Sequence, residues 1–368
     1  MNHRFLKQLV WQVGISFVLM CCLTFGIYYQ DLKGKKMSKY TEKNVMCAEH
    51  NGNEKKEIQQ ETPIHKIEKK EVLQKKLGNT YIAIKKNYAG ILPISIRDCY
   101  EEHKVEIYFY HMTQETIQKK QITFVKKDKK QNGEKMGEQL ELAYTKTAHE
   151  GLQLRLSITV PQIYAYELYE DQKYIYVNCR APKEVYSHIL VLDAGHGGKD
   201  SGSNACKGKW QEKDYNLDFE KRLAETLHLP DWKIYLTRTD DERVFLKQRV
   251  HLANEVGADL FLSLHCNSSD CDEGTGLEAL VSYNENKEQA KRIAKSCLTA
   301  LSQETGLSNR GIHGGESIYI IRNTTMPTVL LELGFLSDPG DVDYLSQEDN
   351  REKMVEVIGK NIREMLTE

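Results

Sequence analysis

The feature that most constrains the fold of this chain is the stretch ILVLDAGHGGKDSGS, residues 189–203. Apolar residues run into a Gly-His-Gly-Gly turn, which predicts a buried parallel strand that ends in a tight loop. His196 is then displayed at the carboxyl end of the strand, and the glycines beside it leave room for a metal or ligand to approach the backbone. Strand–glycine–turn sequences also occur without any ligand. The stretch therefore predicts an α/β sheet, and the role of His196 depends on the rest of the chain.

The size and charge of the chain exclude some classes of function. Its 368 residues are enough for two domains of ordinary size. The net charge is −2 and the sequence pI is about 6.7, so no global basic field favours binding to nucleic acid. The nine cysteines show no CxxC pair and no zinc-finger spacing, which is a poor disulfide framework. We expect buried or free thiols, with one pairing among Cys206, Cys266 and Cys271 left open.

An uncharged apolar run near the N-terminus predicts a membrane segment. Residues 9–29 carry no charge and follow Arg4 and Lys7. A helix of 21 residues rises about 30 Å, which is enough to cross a bilayer. We favour an uncleaved signal anchor, preceded by a short N-terminus at 1–8, over a cleaved signal peptide, because no small-x-small site follows the run. Lysines also follow the run closely, so charge alone leaves the orientation open.

Two further segments separate this run from the C-terminal half. Residues 30–77 are polar, rich in lysine and low in aromatic residues, which predicts a linker without a core of its own. Residues 78–183 consist of short alternating segments rich in Ile, Val and Tyr, separated by Asn, Gly and Asp turns. Such alternation predicts a small all-β domain, either an antiparallel sandwich or a small barrel.

Between residues 187 and 368, strand and helix patterns alternate. Apolar stripes at helical spacing, as at Phe219, Leu223 and Leu227, are typical of helix faces that pack on a core. The pattern predicts an α/β domain with a mostly parallel sheet flanked by helices, whose ligands gather at the carboxyl ends of the strands. The predicted strands are Ile189–Ala194, Trp232–Thr237, Leu260–Leu264, Leu277–Ser282, Ser317–Ile321 and Val329–Leu333.

Four polar side chains are predicted at that edge of the sheet: His196, Glu212, His265 and Glu332. Two imidazoles and one carboxylate form a common zinc triad with an open fourth position, and a further acid nearby can act as general acid and base. Taken singly, Glu212 is typical of a helix N-terminus, and His265 of a hydrogen-bonded core histidine. Glu332 is harder to explain structurally, because a carboxylate between two leucines is costly to bury unpaired. Together the four residues predict a metal site.

The motifs around these residues are, in order, DAGHGGKDSGS, EKDYNL, KQRVHLANEVGADLFLSLHCN and RNTTMPTVLLELGFLSDPGD. They resemble the motifs of the zinc-dependent N-acetylmuramoyl-L-alanine amidases of the Amidase_3 type. The resemblance implies that His196, Glu212 and His265 bind Zn²⁺ and that Glu332 is the catalytic acid/base. It also implies hydrolysis of the amide between the lactyl group of N-acetylmuramic acid and L-alanine of the stem peptide.

Other polar residues of these motifs are assigned secondary roles. Arg249 and Asn254 fit the Arg-x-x-x-x-Asn helix of the family, and Asn267 follows His265 by two positions. We interpret these three as structural or supporting residues. Arg322 and Asn323 are candidates for contact with the substrate.

A peptidoglycan substrate implies a location and partners. The catalytic domain would lie outside the cytoplasm, held to the membrane by residues 9–29, or be secreted if that segment is cleaved. Residues 78–183 loosely resemble the AMIN-type β-domains, which implies contacts with the wall or with another protein, although a plain spacer is equally compatible with the sequence. Two other functions stay open: a catalytically silent wall-binding protein with an amidase fold, and another zinc hydrolase such as a peptidase or sugar deacetylase. The masses of muropeptide products separate these cases.

Overall fold

The computed structural model describes residues 64–66, 70–88, 92–112, 116–126, 139–147, 151–269, 274–283 and 285–367. The predicted membrane segment 9–29 and most of the predicted linker 30–77 lie outside these residues. Within the described ranges, no helix is both long enough and apolar enough to span a bilayer.

The N-terminal described part is a β-sandwich, which confirms one of the two predicted all-β folds. One sheet has the strand order β1-β8-β9-β2-β5 and the other β3-β4-β7-β6; all pairs are antiparallel except β1 with β8. Fully buried Ile82, Phe109 and Leu154 belong to one core shared by the two sheets. The strands are β1 Ile64–Lys66, β2 Thr80–Lys85, β3 Ile94–Cys99, β4 Lys104–Met112, β5 Ile122–Lys126, β6 Leu140–Thr147, β7 Gly151–Thr159, β8 Ala165–Glu170 and β9 Tyr174–Arg180.

Structure begins earlier than the linker prediction allows. Strand β1 and helix α1, Lys70–Lys76, both fall within residues 30–77. Leu73 and Leu77 are buried together with Tyr169 in a small cluster. The average polarity of the segment conceals these few apolar residues, and they are sufficient because β8 supplies the main-chain partners of β1.

The C-terminal half is an α/β domain with one six-stranded sheet, in the order β11-β10-β12-β15-β13-β14. Strands β11, β10, β12 and β15 run parallel, whereas β13 is antiparallel to β15. The mostly parallel sheet is therefore confirmed. Its strands are β10 His188–Ala194, β11 Trp232–Leu236, β12 Leu260–Asn267, β13 Leu277–Val281, β14 Asn309–Gly314 and β15 Thr328–Phe335; its helices are α2 Glu212–Thr226, α3 Leu246–Val256, α4 Lys287–Thr305, α5 Tyr319–Asn323, α6 Pro339–Ser346 and α7 Glu348–Thr367.

Alternation along the central strands places helices on both faces of this sheet. Leu190 and Leu192 of β10 pack in the core formed with α2, α4 and α7. The intervening Ile189 and Val191 pack in a second core with α3 and α5. Both faces are thus apolar, which explains why β10 is a nearly continuous hydrophobic run.

One predicted strand is wrong. Residues Tyr319–Asn323 form helix α5, where Ser317–Ile321 was predicted to be a strand, and the edge strand β14 lies earlier, at Asn309–Gly314. Ile320 and Ile321 are buried, and a short apolar run of this kind does not distinguish strand from helix. Strand β14 escapes detection because it is a largely exposed edge strand, so its sequence carries no apolar alternation.

The β-sandwich packs on the edge strand β11 and on helix α3. The Tyr100 hydroxyl donates to the Leu236 carbonyl (2.9 Å) and accepts from the Leu236 amide (3.0 Å). The Tyr100 ring meets that of Tyr235 edge to face, with centroids 4.9 Å apart. Lys233 donates to Asp98 at 3.3 Å. The contacts of Tyr100 therefore satisfy main-chain groups that an exposed edge would leave open.

Candidate metal centre

The loop that carries His196 is held by two buried arginines. Arg238 donates from Nε to the Ala194 carbonyl (3.0 Å) and from Nη2 to the Gly195 carbonyl (3.1 Å). Arg249 donates from Nη1 to the Ala194 carbonyl (2.6 Å) and from Nη2 to the His196 carbonyl (2.7 Å). His196 itself has φ +62°, an uncommon backbone conformation for a residue other than glycine. The arginines therefore stabilise the turn that presents its imidazole.

A buried ion pair lies beneath this loop. The fully buried Asp193 accepts hydrogen bonds from Arg249 (2.5 Å), Thr237 (2.7 Å) and Ser263 (2.6 Å). Burial alone would raise the pKa of Asp193, but the Arg249 guanidinium and these hydrogen bonds hold it below its usual value. The structural role predicted for Arg249 agrees with these contacts.

Three of the four predicted site residues come together around one carboxylate oxygen. Glu212 Oε1 lies 3.1 Å from His196 Nε2 and 2.8 Å from His265 Nδ1. Tetrahedral zinc with bonds of about 2.0–2.1 Å separates neighbouring ligand atoms by roughly 3.3 Å. The donor types and their spacing therefore fit a zinc ion.

Asp200, a residue not predicted from the sequence, orients this group. Asp200 Oδ1 lies 2.9 Å from His196 Nδ1 and turns the other nitrogen of the ring towards Glu212. A carboxylate behind a ligand histidine is a common arrangement in metal sites. In the sequence HGGKD, Asp200 follows His196 by four positions, and this spacing was the available indication of the contact.

The carboxylates of Glu212 and Asp200 favour positive charge at the candidate metal centre. Burial would raise the pKa of Glu212, yet hydrogen bonds from His196 and His265 hold it well below its usual range. Burial would lower the pKa of His196, but Glu212 and Asp200 raise it to about 9. Protons on the imidazoles or a bound cation would supply the charge that this carboxylate stabilises.

Two glycines make room for the group. A Cβ atom on Gly195 would overlap the ring of His265. Gly202 has φ +63°, and a Cβ atom there would overlap the Glu212 carboxylate and the His196 ring. The glycines of the motif thus allow the candidate ligands themselves to approach the backbone.

Glu332 lies beside this group in a row that crosses three strands. It is the partner of His265 in the β12–β15 ladder and of Glu278 in the β13–β15 ladder, so the three side chains project from one face of the sheet. The Glu332 Oε2 atom is buried and has no hydrogen-bond partner among the described residues. Burial raises the pKa of Glu332 to about 7; His265 opposes this shift and the carboxylates of Glu212 and Glu278 add to it.

Glu278 and its partner Arg310 were also missed. Asn267 donates to Glu278 Oε2 (3.0 Å), and Arg310 Nε donates to Glu278 Oε1 (2.5 Å). The Arg310 guanidinium also lies over the Phe335 ring, 5.1 Å from its centroid. Because β13 is antiparallel, its amino end meets the carboxyl end of β15, and only that direction brings Glu278 to this edge. The supporting role predicted for Asn267 agrees with its bond to Glu278.

Two predicted substrate contacts lie elsewhere. Asn254 donates to the Asn323 carbonyl (3.0 Å) and accepts from the Thr325 amide (3.0 Å). Arg322 and Asn323 precede the first residue of β15 and so lie at the amino edge of the sheet. His196, Glu212, His265 and Glu332 lie at the opposite, carboxyl edge. A cavity of about 640 Å³, lined by residues that include His188 and Met326, lies at that same amino edge.

Fold and site together define the class of the domain: an α/β protein with a candidate metal centre of two histidines and one glutamate at the carboxyl edge of its sheet, a donor set typical of zinc hydrolases. Residues 190–364 match the family Amidase_3, described as N-acetylmuramoyl-L-alanine amidase. Residues 190–364 thus form an Amidase_3 domain in the C-terminal half of the chain, as the motifs predict.

Three similar proteins illustrate the match. N-acetylmuramoyl-L-alanine amidase LytC of Bacillus subtilis is 32% identical over 174 residues, which is 47% of this chain and 34% of that protein. The probable cell wall amidase LytH of Staphylococcus aureus is 33% identical over 183 residues, 49% of this chain and 59% of that protein. The catalytic domain of CwlV from Bacillus (Paenibacillus) polymyxa var. colistinus is 36% identical over 49% of this chain and 98% of its own, with a TM-score of 0.46. The chain thus spans less than two thirds of these two curated relatives.

Proposed function

We propose that this protein is a peptidoglycan hydrolase that cleaves the amide between N-acetylmuramic acid and the L-alanine of the stem peptide. The observation that carries the proposal is the group of His196, Glu212 and His265 around one carboxylate oxygen. Glu332 lies in the same row, and its buried Oε2 atom has no hydrogen-bond partner in the described part of the chain. These residues lie in a domain of the Amidase_3 family, and the first matched curated relative is an N-acetylmuramoyl-L-alanine amidase.

His196, Glu212 and His265 are the residues that would hold the metal ion, and we propose zinc. The mixed nitrogen and oxygen donor set suits zinc, and three protein ligands leave a fourth position open. A zinc ion bound there supplies Lewis acidity, which lowers the pKa of a water molecule and polarises a carbonyl oxygen.

Glu332 is the residue that we propose moves the proton. A carboxyl group with a pKa of about 7 exchanges protons readily at neutral pH, whereas the charged Glu212 is committed to the two imidazoles. Glu332 would accept a proton from the attacking water through its carboxylate and then donate that proton to the leaving amine of L-alanine. Asn267 and Arg310 hold Glu278 beside it and so stabilise the row on which Glu332 lies.

We also propose that the catalytic domain acts outside the cytoplasm and that the β-sandwich contacts the wall or another envelope protein. The location follows from a peptidoglycan substrate and from the uncharged run at residues 9–29. Protease added to intact cells should degrade the C-terminal domain of a membrane-held protein, and protection of that domain would contradict this location.

The function is tested by incubating the metal-free full chain with purified peptidoglycan and counting new α-amino groups on alanine. Addition of Zn²⁺ should release these termini, and His265→Ala should release none at the same zinc concentration. Zinc-bound wild-type protein that binds peptidoglycan without releasing alanine termini would instead indicate a silent wall-binding protein.

A further inference from the structure

We propose that His103, His251 and Glu255 form a second metal site, which joins the β-sandwich to the catalytic domain. His103 Nε2 lies 3.0 Å and His251 Nε2 lies 3.3 Å from the same oxygen, Glu255 Oε2. Within the described part of the chain, this trio and the group of His196, Glu212 and His265 are the two sets whose donor atoms all lie within 4.8 Å of one another. The ligand would be a divalent transition-metal ion that prefers imidazole and carboxylate donors, such as Zn²⁺.

Two of the donor distances in this trio match those of a metal site. Neighbouring ligands of tetrahedral zinc are roughly 3.3 Å apart, and both nitrogen–oxygen distances of the trio are close to this value. A hydrogen bond between one histidine and the carboxylate would explain His103 alone. The one-turn spacing on α3 brings His251 to Glu255, and both imidazoles then meet at the same oxygen, Glu255 Oε2.

The backbone holds each donor in place. His251 and Glu255 are one turn apart on helix α3, so their side chains lie on one face. The other oxygen of Glu255 accepts a hydrogen bond from the Ile163 amide (2.9 Å). His103 has φ +49°; its amide donates to the Tyr100 carbonyl (3.1 Å) and its carbonyl accepts from the Val160 amide (2.8 Å).

The position of the trio separates it from the candidate catalytic centre. His251 is two residues beyond Arg249 and so points to nearly the opposite side of α3. Side-chain exposures of 33% for His103, 68% for His251 and 15% for Glu255 leave a path for an ion and an open coordination position for water. Because one ligand comes from the sandwich and two from the α/β domain, a bound ion would hold these two parts together.

Metal stoichiometry of the untagged full chain tests the proposal. After incubation with excess Zn²⁺ and removal of unbound metal, elemental analysis should find two zinc ions per wild-type chain. His251→Ala and His196→Ala should each bind one, and the double variant none. The control His228→Ala removes an exposed histidine outside both groups and should bind two. One zinc per wild-type chain, or no loss of zinc in His251→Ala, would overturn the proposal.

Thermal unfolding gives a second readout that does not depend on activity. In the His196→Ala variant only the proposed site remains complete, so Zn²⁺ should still raise its melting temperature. The same addition should leave the melting temperature of the His196→Ala/His251→Ala double variant unchanged. Equal shifts in the two variants would show that zinc acts elsewhere and would contradict the proposal.

Discussion

His265 and Glu332 are direct partners across the parallel strands β12 and β15. Their side chains therefore project from the same face of the sheet, at the same level. The pair places His265, a candidate metal ligand, next to the carboxyl group of Glu332. Glu332 is not one of the three candidate ligands. Parallel pairing of two central strands thus sets a candidate metal ligand and a candidate proton carrier side by side.

Replacing Glu332 should abolish catalysis without removing the metal. For Glu332→Gln we expect kcat to fall by about 10²–10⁴-fold, the usual contribution of general acid–base catalysis, while zinc content stays at the wild-type level. Release of alanine termini and elemental analysis measure the two quantities. Glu356→Gln, on the exposed side of α7, is the control and should keep full activity. Unchanged kcat in Glu332→Gln would remove this residue from the mechanism.

Gly195 should not tolerate a side chain. Gly195→Ala forces a Cβ atom into the space of the His265 ring, so we expect loss of zinc at the candidate metal centre and loss of activity. In the control Gly78→Ala, the added atom meets Asn178 and Arg180 at 3.4 and 3.7 Å, which are ordinary contacts, so this variant should behave as wild type. Isothermal titration with Zn²⁺ compares the two. Wild-type zinc affinity in Gly195→Ala would show that the absence of a side chain at Gly195 is not needed to place the His265 ring.

Arg249 should be required for stability and for metal affinity together. Arg249→Ala leaves Asp193 buried without its cationic partner, which should lower the free energy of unfolding by about 3–5 kcal/mol. It also releases the His196 carbonyl, and loss of such supporting contacts typically weakens metal binding about 10–100-fold. Urea denaturation and zinc titration measure these effects, with the exposed Arg292→Ala as control. A stable Arg249→Ala protein with normal zinc affinity would contradict the role assigned to this arginine.

Glu220 should make the protein less stable as the pH rises. It is fully buried, and its Oε2 has no partner among the described residues, while Oε1 accepts from the Ala194 amide at 3.1 Å. Burial, with Asp193 adding to it, raises the pKa of Glu220 well above its usual value. The folded state therefore holds a proton that the unfolded state has lost above about pH 4.3, and stability falls as the pH rises from there towards the folded pKa.

Glu220→Gln removes that titration and keeps the shape of the side chain. The advantage of Glu220→Gln over wild type in unfolding free energy should grow between pH 4 and pH 8 (~1.4 kcal/mol per pH unit at most). Denaturant titrations at a series of pH values measure it. Glu225→Gln, an exposed position on the same helix, should show no such trend. Parallel pH curves for wild type and Glu220→Gln would mean that Glu220 is ionised in the folded protein.

The residues that could be predicted from the sequence are polar residues that interrupt or end apolar runs. His196, His265 and Glu332 lie at or near the carboxyl ends of buried strands, and the parallel sheet brings those ends to one edge. The structure places His196, Glu212 and His265 together and Glu332 beside them. Their roles as metal ligands and as acid/base remain proposals that the variants above test.

The missed features depend on strand direction and on tertiary contacts. The amino-acid sequence of β13 does not show that this strand runs antiparallel to β15. That direction brings Glu278 beside Glu332. The segment predicted as a strand at Ser317–Ile321 forms helix α5 for a similar reason. Ile320 packs with residues of α3 in one core, and this tertiary contact is not visible in the local sequence. The trio of His103, His251 and Glu255 joins residues about 150 positions apart in the chain, a separation that no local pattern spans.

The masses of the products that the full chain releases from purified muropeptides, each a disaccharide with its stem peptide, test the central claim most directly. We expect an intact disaccharide that ends in the free lactyl carboxyl group and an intact peptide that begins at L-alanine. Both products should disappear on chelation and return with Zn²⁺. A shortened peptide or a deacetylated sugar would contradict the claim and indicate a different hydrolase, and uncleaved muropeptide in the presence of zinc-bound protein would contradict it as well.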